Sequence, residues 1–156
     1  MADATTWIDR LGLEPHPEGG YYKRTYRSPV SVSGDELPDH RGDRPTATAI
    51  YYLLEADDCS AFHRLQSDEL WQFHHGSPLT LYLLDDGLTR IELGRDQFQA
   101  VIPAGTWFGA ELTDNEGFAL VGCVVTPGFD FEEFELAGPA LAEEYPAHQE
   151  LIERLT

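Results

Sequence analysis

The chain has 156 residues, enough for one domain with a core of its own, and carries 28 carboxylates against ten lysines and arginines, a formal charge of −18. Such a charge repels phosphate backbones and anionic lipid surfaces, so neither nucleic acid nor a membrane is expected as a partner. No apolar run approaches the ~20 residues that span a bilayer, and MADATTWIDRLG lacks the basic-then-apolar start of a secretory signal. Cys59 and Cys123 form no metal or redox spacing, so reduced thiols in the cytoplasm are expected. An acidic, lysine-poor surface also fits a solute-rich or halophilic cytoplasm. On that expectation the melting temperature rises with added salt, which screens self-repulsion, and a fall would refute it.

Residues 5–12 predict a short helix, capped by Thr5 or Thr6, with Trp7, Ile8 and Leu11 on one face and Gly12 at its end. The Pro- and Gly-rich HPEGG that follows reads as a structured turn, more architecture than chemistry. GYYKRTYR then alternates as a strand. Residues 28–45 carry three prolines and two glycines without periodicity and predict a long loop of the kind that covers binding sites. From residue 46 onward short strands succeed one another: TATAIYYLLE, SAFHRL, ELWQFH, LTLYLLD, LTRIEL, FQAVIP, WFGAEL and FALVGCVV. Turn residues separate them, which predicts an antiparallel sandwich or barrel. PGFDFEEF reads as a packing segment, and the tail returns to helix after Pro146 with Leu151, Ile152 and Leu155 on one face. The expectation is one all-β domain over residues 1–156 with short helices at both ends.

HRLQSDELWQFHHG, residues 63–76, holds three histidines and an Asp-Glu pair. With side chains alternating along strands, Glu69, Trp71 and Phe73 share the inward face, and His63 looks toward Glu69. A buried carboxylate there needs a partner or a wet pocket. His63 is the candidate base, with Glu69 beside it to orient the ring; the same pair could simply close a barrel mouth. Tyr22, Arg24 and Tyr26 share a face of the first long strand, with Tyr21, Lys23, Thr25 and Arg27 on the other, and either set could reach a ligand. That basic cluster could grip an anionic ligand or pair with neighbouring carboxylates. His74 and His75 are adjacent on a strand, so they point to opposite faces unless the strand bends before Gly76.

The region resembles the first motif of the cupin superfamily, G-x5-H-x-H-x3,4-E-x6-G, with His63, Glu69 and Gly76 in place. PAGTWF resembles the second motif, with Pro103 and Gly105 in place. Two of the four usual metal ligands are absent: Leu65 stands at the second histidine and Phe108 at the third. His63 and Glu69 alone are too few for a tight metal site, so no metal or other cofactor is expected. Over nearly the whole chain HPEGGYYKRTYRS, FHRLQSDELWQFHHG, VIPAGTWFGA and VTPGFDFEEFELA resemble a family of small cupins of unassigned function. The resemblance implies a jelly-roll barrel, a homodimer and a pocket like that of deoxythymidine-diphosphate-sugar epimerases. It places His63, Glu69, Trp71 and Phe108 at the pocket, with Tyr52 and Tyr22 or Arg24 nearby. The expected function is binding of a small polar metabolite, with metal-free epimerisation or isomerisation as the expected reaction, His63 as base and a tyrosine as acid. The alternatives are a non-catalytic binding module and a metal-dependent dioxygenase or isomerase.

Overall fold

The computed structural model describes residues 2–37 and 42–156. It opens on α1 (Ala4–Leu11), which ends at Gly12 in the left-handed region, φ 68. The cap is Asp3, not Thr5 or Thr6. Its carboxylate accepts from the Thr6 amide at 2.9 Å and from the Thr6 hydroxyl at 2.8 Å, so that hydroxyl is used as a donor.

Thirteen strands follow among the described residues. The first six are β1 (Glu14–Pro15), β2 (Tyr21–Arg27), β3 (Ser31–Val32), β4 (Arg44–Pro45), β5 (Thr48–Glu55) and β6 (Cys59–Arg64). The rest are β7 (Asp68–Gly76), β8 (Leu79–Leu84), β9 (Leu88–Leu93), β10 (Gln99–Ile102), β11 (Trp107–Leu112), β12 (Phe118–Thr126) and β13 (Glu135–Leu136). α2 (Ala140–Glu144) and α3 (Gln149–Arg154) close the chain; the sequence announces the second of these but not the first. A six-stranded sheet in the order β1-β2-β5-β12-β7-β10 faces a five-stranded sheet, β13-β6-β11-β8-β9, as in a jelly roll.

Period 2 explains the core. Tyr52, Leu54, Trp71, Val121 and Cys123 from one sheet meet Leu79, Leu81, Leu83, Phe108 and Ala110 from the other. The alternate residues do not face water everywhere, because helices cover both outer faces. Leu53 and Leu120 pack under α1 with Trp7 and Ile8. Phe62, Tyr82 and Leu84 pack under Leu141, Leu151, Ile152 and Leu155. Two covered faces are why all six residues of β8 are buried, and why LTLYLL reads as continuously apolar. Each fully buried leucine under those helices contributes roughly 1.5–3 kcal/mol.

The segment predicted as a long loop is partly organised. β3 pairs with β4, Val32 opposite Arg44, and a turn of 3-10 helix spans Gly34–Glu36; positions 38–41 lie outside the described residues. Two-residue strands carry no period that a sequence could show. The anchor is Arg44, only 3% exposed, whose guanidinium stands 2.6 Å from Glu133 and 3.8 Å from Asp130. The Glu133 contact is ionic by distance and off-line for a hydrogen bond, since that nitrogen has no hydrogen-bond partner. The ion pair fixes the aromatic segment around Phe129–Phe134 over one end of the barrel. There Gly128 also donates to the Pro45 carbonyl at 2.8 Å, and the Phe129 amide donates to Thr48 Oγ1 at 3.0 Å.

Candidate functional site

His63 sits on β6 with its ring buried between the sheets, as the alternation requires. Its Nδ1 lies 2.7 Å from the Ala61 carbonyl and its Nε2 2.8 Å from Glu18 Oε2. A carbonyl can only accept, so Nδ1 carries a hydrogen. One further proton is then shared between Nε2 and the Glu18 carboxylate. Burial opposes both charges, but mutual attraction and the hydrogen bond outweigh it: the His63 pKa is raised and the Glu18 pKa lowered. Both shifts describe an imidazolium–carboxylate pair. Ser60 donates to Glu18 Oε2 at 2.9 Å, completing its shell.

Glu18 comes from HPEGG, the turn that the sequence marks as architecture. The chain dives against the sheet here because Gly19 and Gly20 adopt φ of 103 and 76. A Cβ on Gly20 would stand 2.7 Å from the Leu53 carbonyl, so only glycine lets the turn approach this closely. His16 both ties the turn and faces the site. Its Nδ1 accepts the Glu18 amide at 3.0 Å and therefore bears no hydrogen, so its 3.6 Å approach to Glu18 Oε1 is not an ion pair. Burial, outweighing the Glu18 charge, accordingly lowers the His16 pKa.

Glu69, on β7, accepts a short hydrogen bond from the Trp71 indole through Oε2. Its other oxygen makes no hydrogen bond among the described residues. Burial is the largest influence on its carboxyl and, with the Glu18 charge, outweighs His63 and the indole, so its pKa rises to about 7. A cavity of about 40 Å³ is lined by Glu69, Glu18, His63, His16, Tyr22, Leu65, Cys123, Phe129 and Phe134, among others. A carboxyl poised near neutrality beside a fixed ion pair is suited to moving protons.

The structure brings some of the expected site residues together and separates others. His63, Glu69 and Tyr22 do meet at one cavity. The carboxylate that orients His63 is Glu18, not Glu69, and both ring nitrogens are already engaged. Tyr52, Trp71 and Phe108 stand behind the cavity wall. Tyr52 donates to the Gly19 carbonyl at 2.5 Å, Trp71 to Glu69, and Phe108 packs on His63 with ring centroids 4.1 Å apart. Arg24 is exposed and outside the cavity. PGFDFEEF, expected only to pack, supplies Phe129 and Phe134 to the lining. His74 and His75 share the outer face after all, because the β7–β12 register shifts there; His75 packs on Trp7 and His74 on Tyr51. Trp7, Tyr51 and their histidine partners lie under or beside α1, away from the cavity.

A family profile described as "Cupin superfamily (DUF985)" matches residues 5–137. The chain belongs to that family. Its relatives include the yeast "Uncharacterized protein YML079W", 33% identical over 81% of this chain and 71% of that protein. The structure of protein SO0799 from Shewanella oneidensis superposes with a TM-score of 0.90 at 38% identity, covering 100% of this cupin and 98% of that chain. A hypothetical protein from Leishmania major gives 0.87 at 35% identity, with 99% of each chain covered. Oxalate decarboxylase of Bacillus subtilis is similar at TM-score 0.57 and 16% identity, over 91% of this cupin but 37% of that chain, and shows the fold alone.

The metal of many cupins does not fit this one. Leu65 lines the cavity at the second histidine position, and Phe108 fills the third against the His63 ring. His63 has no nitrogen left to give. Among the described residues, no three of His, Cys, Asp or Glu are grouped to hold an ion. None of the described helices is long and apolar enough to cross a membrane.

Proposed function

We propose that this cupin binds a small polar metabolite at the cavity and shifts a proton on one of its carbons, as isomerases and epimerases do, without a metal. The observation that carries this reading is Glu69: a buried carboxyl that lines the cavity beside the His63–Glu18 pair, with a pKa raised to about 7 by burial. In its ionised form Glu69 takes a proton from a carbon next to a carbonyl. The electron pair left behind moves onto the carbonyl oxygen, and the fixed positive charge of His63 stabilises it. Glu69, now protonated, returns the proton to the former carbonyl carbon for isomerisation, while the hydroxyl on the adjacent carbon passes its proton to the charged oxygen and becomes the new carbonyl. Epimerisation needs a donor on the opposite face, and Tyr22 is the tyrosine in the lining. His63 thus acts through charge and not as the base.

The test uses deuterated water and a panel of hydroxy-carbonyl sugars and sugar acids. The native protein is expected to exchange carbon-bound hydrogen in at least one of them. A tightly retained metabolite that never exchanges would make this cupin a binding module instead. Stoichiometric metal in the purified protein would overturn the metal-free reading.

A further inference from the structure

The cavity, about 40 Å³ against the ~10–15 Å³ needed to hold one water, admits only a short polar group. Any larger ligand must extend outside it. Directly outside lies a second chamber of about 440 Å³ that shares Tyr22, Thr48, Ile50 and Phe129 with the cavity. Arg24 and Arg27 line it.

Their placement follows from a bulge. Along β2, Tyr22 pairs with Tyr52 and Arg24 with Ile50; the register then shifts at Thr25, and Tyr26 pairs with Ala49 and Arg27 with Thr48. Directly opposed residues share a face, so the bulge removes Tyr26 from the Arg24 side and substitutes Arg27. Strict alternation would have put one arginine on each face. Instead two guanidinium groups stand on the side that carries Ile50 and Thr48, both of them wall residues of cavity and chamber alike.

These two arginines are also singular in their company. Arg44, Arg64, Arg95 and Arg154 pair with carboxylates, and Arg10 and Arg90 lie over aromatic rings. Arg24 and Arg27 do neither among the described residues, in a chain with 28 carboxylates. The chamber's own carboxylates are Glu14 and Asp130, and Asp130 is turned to the Glu132 amide at 2.8 Å and toward Arg44 at 3.8 Å.

We infer that Arg24 and Arg27 form an oxyanion-binding subsite, so that the ligand is a small molecule with a phosphate or carboxylate on one end and a polar, reacting end short enough for the cavity. This rests on the proton-transfer reading for the role of the inner end only. Paired guanidinium groups are the natural grip for such an oxyanion, by charge and by bidentate hydrogen bonding.

Inorganic phosphate and malonate serve as probes, titrated into the native protein at low salt and followed calorimetrically. Phosphate or malonate is expected to bind with a Kd on the order of 1 mM, and the double substitution Arg24→Gln, Arg27→Gln to weaken it by roughly 10-fold or more. Both side chains are exposed, so their loss leaves the core untouched. Tighter phosphate binding assigns a phosphoryl end, tighter malonate binding a carboxylate end. No binding of either, or binding that survives the double substitution, overturns the subsite. The two readings fail separately: arginine-dependent binding with no hydrogen exchange removes proton transfer and leaves the subsite, and exchange without arginine-dependent binding does the reverse.

Discussion

Replacing Glu18 by alanine is expected to cost about 3–5 kcal/mol of folding stability, the range for a buried ion pair broken from one side. The loss is large because two buried groups lose their partner together: the charged His63 ring, through Nε2, and the Ser60 hydroxyl. Glu18→Gln should cost far less. Its amide can donate one hydrogen to a neutral His63, whose Nδ1 still donates to Ala61, and the other to the Ser60 oxygen, so no buried charge is left unpaired. The pH dependence distinguishes this account from simple loss of packing. The Glu18 pKa is lowered from 4.5 by folding, so its contribution is present above 4.5 and lost as pH falls through the lower folded value. The His63 pKa is raised from 6.5, so its contribution is full below 6.5 and lost as pH rises through the higher folded value. The difference between wild type and Glu18→Ala, measured by urea unfolding, is therefore expected to be widest between these two reference values, 4.5 and 6.5, and to narrow on either side. A difference that is flat with pH would show that the pair is not ionic.

Glu69→Gln is expected to separate activity from stability. Proton transfer should fall by about 10²–10⁴-fold, the usual contribution of a positioned acid/base group. The fold should not suffer, because a glutamine oxygen can still accept from the Trp71 indole. Here the linkage runs the other way from Glu18. A carboxyl raised from 4.5 to about 7 is held neutral by the fold, so the Glu69 contribution to wild-type stability is most favourable below 4.5 and declines as pH climbs from 4.5 through 7. The full penalty for ionising Glu69 is about 3 kcal/mol, since each tenfold change in acidity corresponds to roughly 1.4 kcal/mol. Glu69→Gln never ionises. It should match the wild type near pH 4, exceed it progressively as pH climbs from 4.5 through 7, and stay ahead by that amount above 7. A variant as stable as wild type at every pH, or less stable at pH 8, would sink the claim that Glu69 is a neutral, poised carboxyl.

The contrast between these two glutamates shows how far the sequence reaches. Period 2 placed Glu69, Trp71 and His63 between the sheets, since each lies on a regular strand where position alone decides the face. The strand segments and the apolar stripes under the terminal helices were legible for the same reason, whereas the jelly roll was implied by the resemblance to the cupin motifs. That resemblance also placed Leu65 and Phe108 where the superfamily usually carries metal ligands.

What resisted was everything set by non-periodic backbone. Glu18 lies in a turn, where no repeat announces which way a side chain points; the visible sign was its pair of glycines, which license a close approach without saying what the approach delivers. Phe129, Phe134 and Arg44 reach the barrel mouth through short irregular segments held by one buried ion pair. The bulge at Thr25 exchanges Tyr26 for Arg27, and the register shift at β7 puts His74 beside His75. By itself the sequence determined the barrel and the presence of an imidazole and a carboxyl inside it, because side-chain alternation and burial are local consequences of the chain. Only the tertiary structure decided which carboxylate pairs with the imidazole and which is left without a charged partner, because that depends on distances between segments that are far apart in sequence.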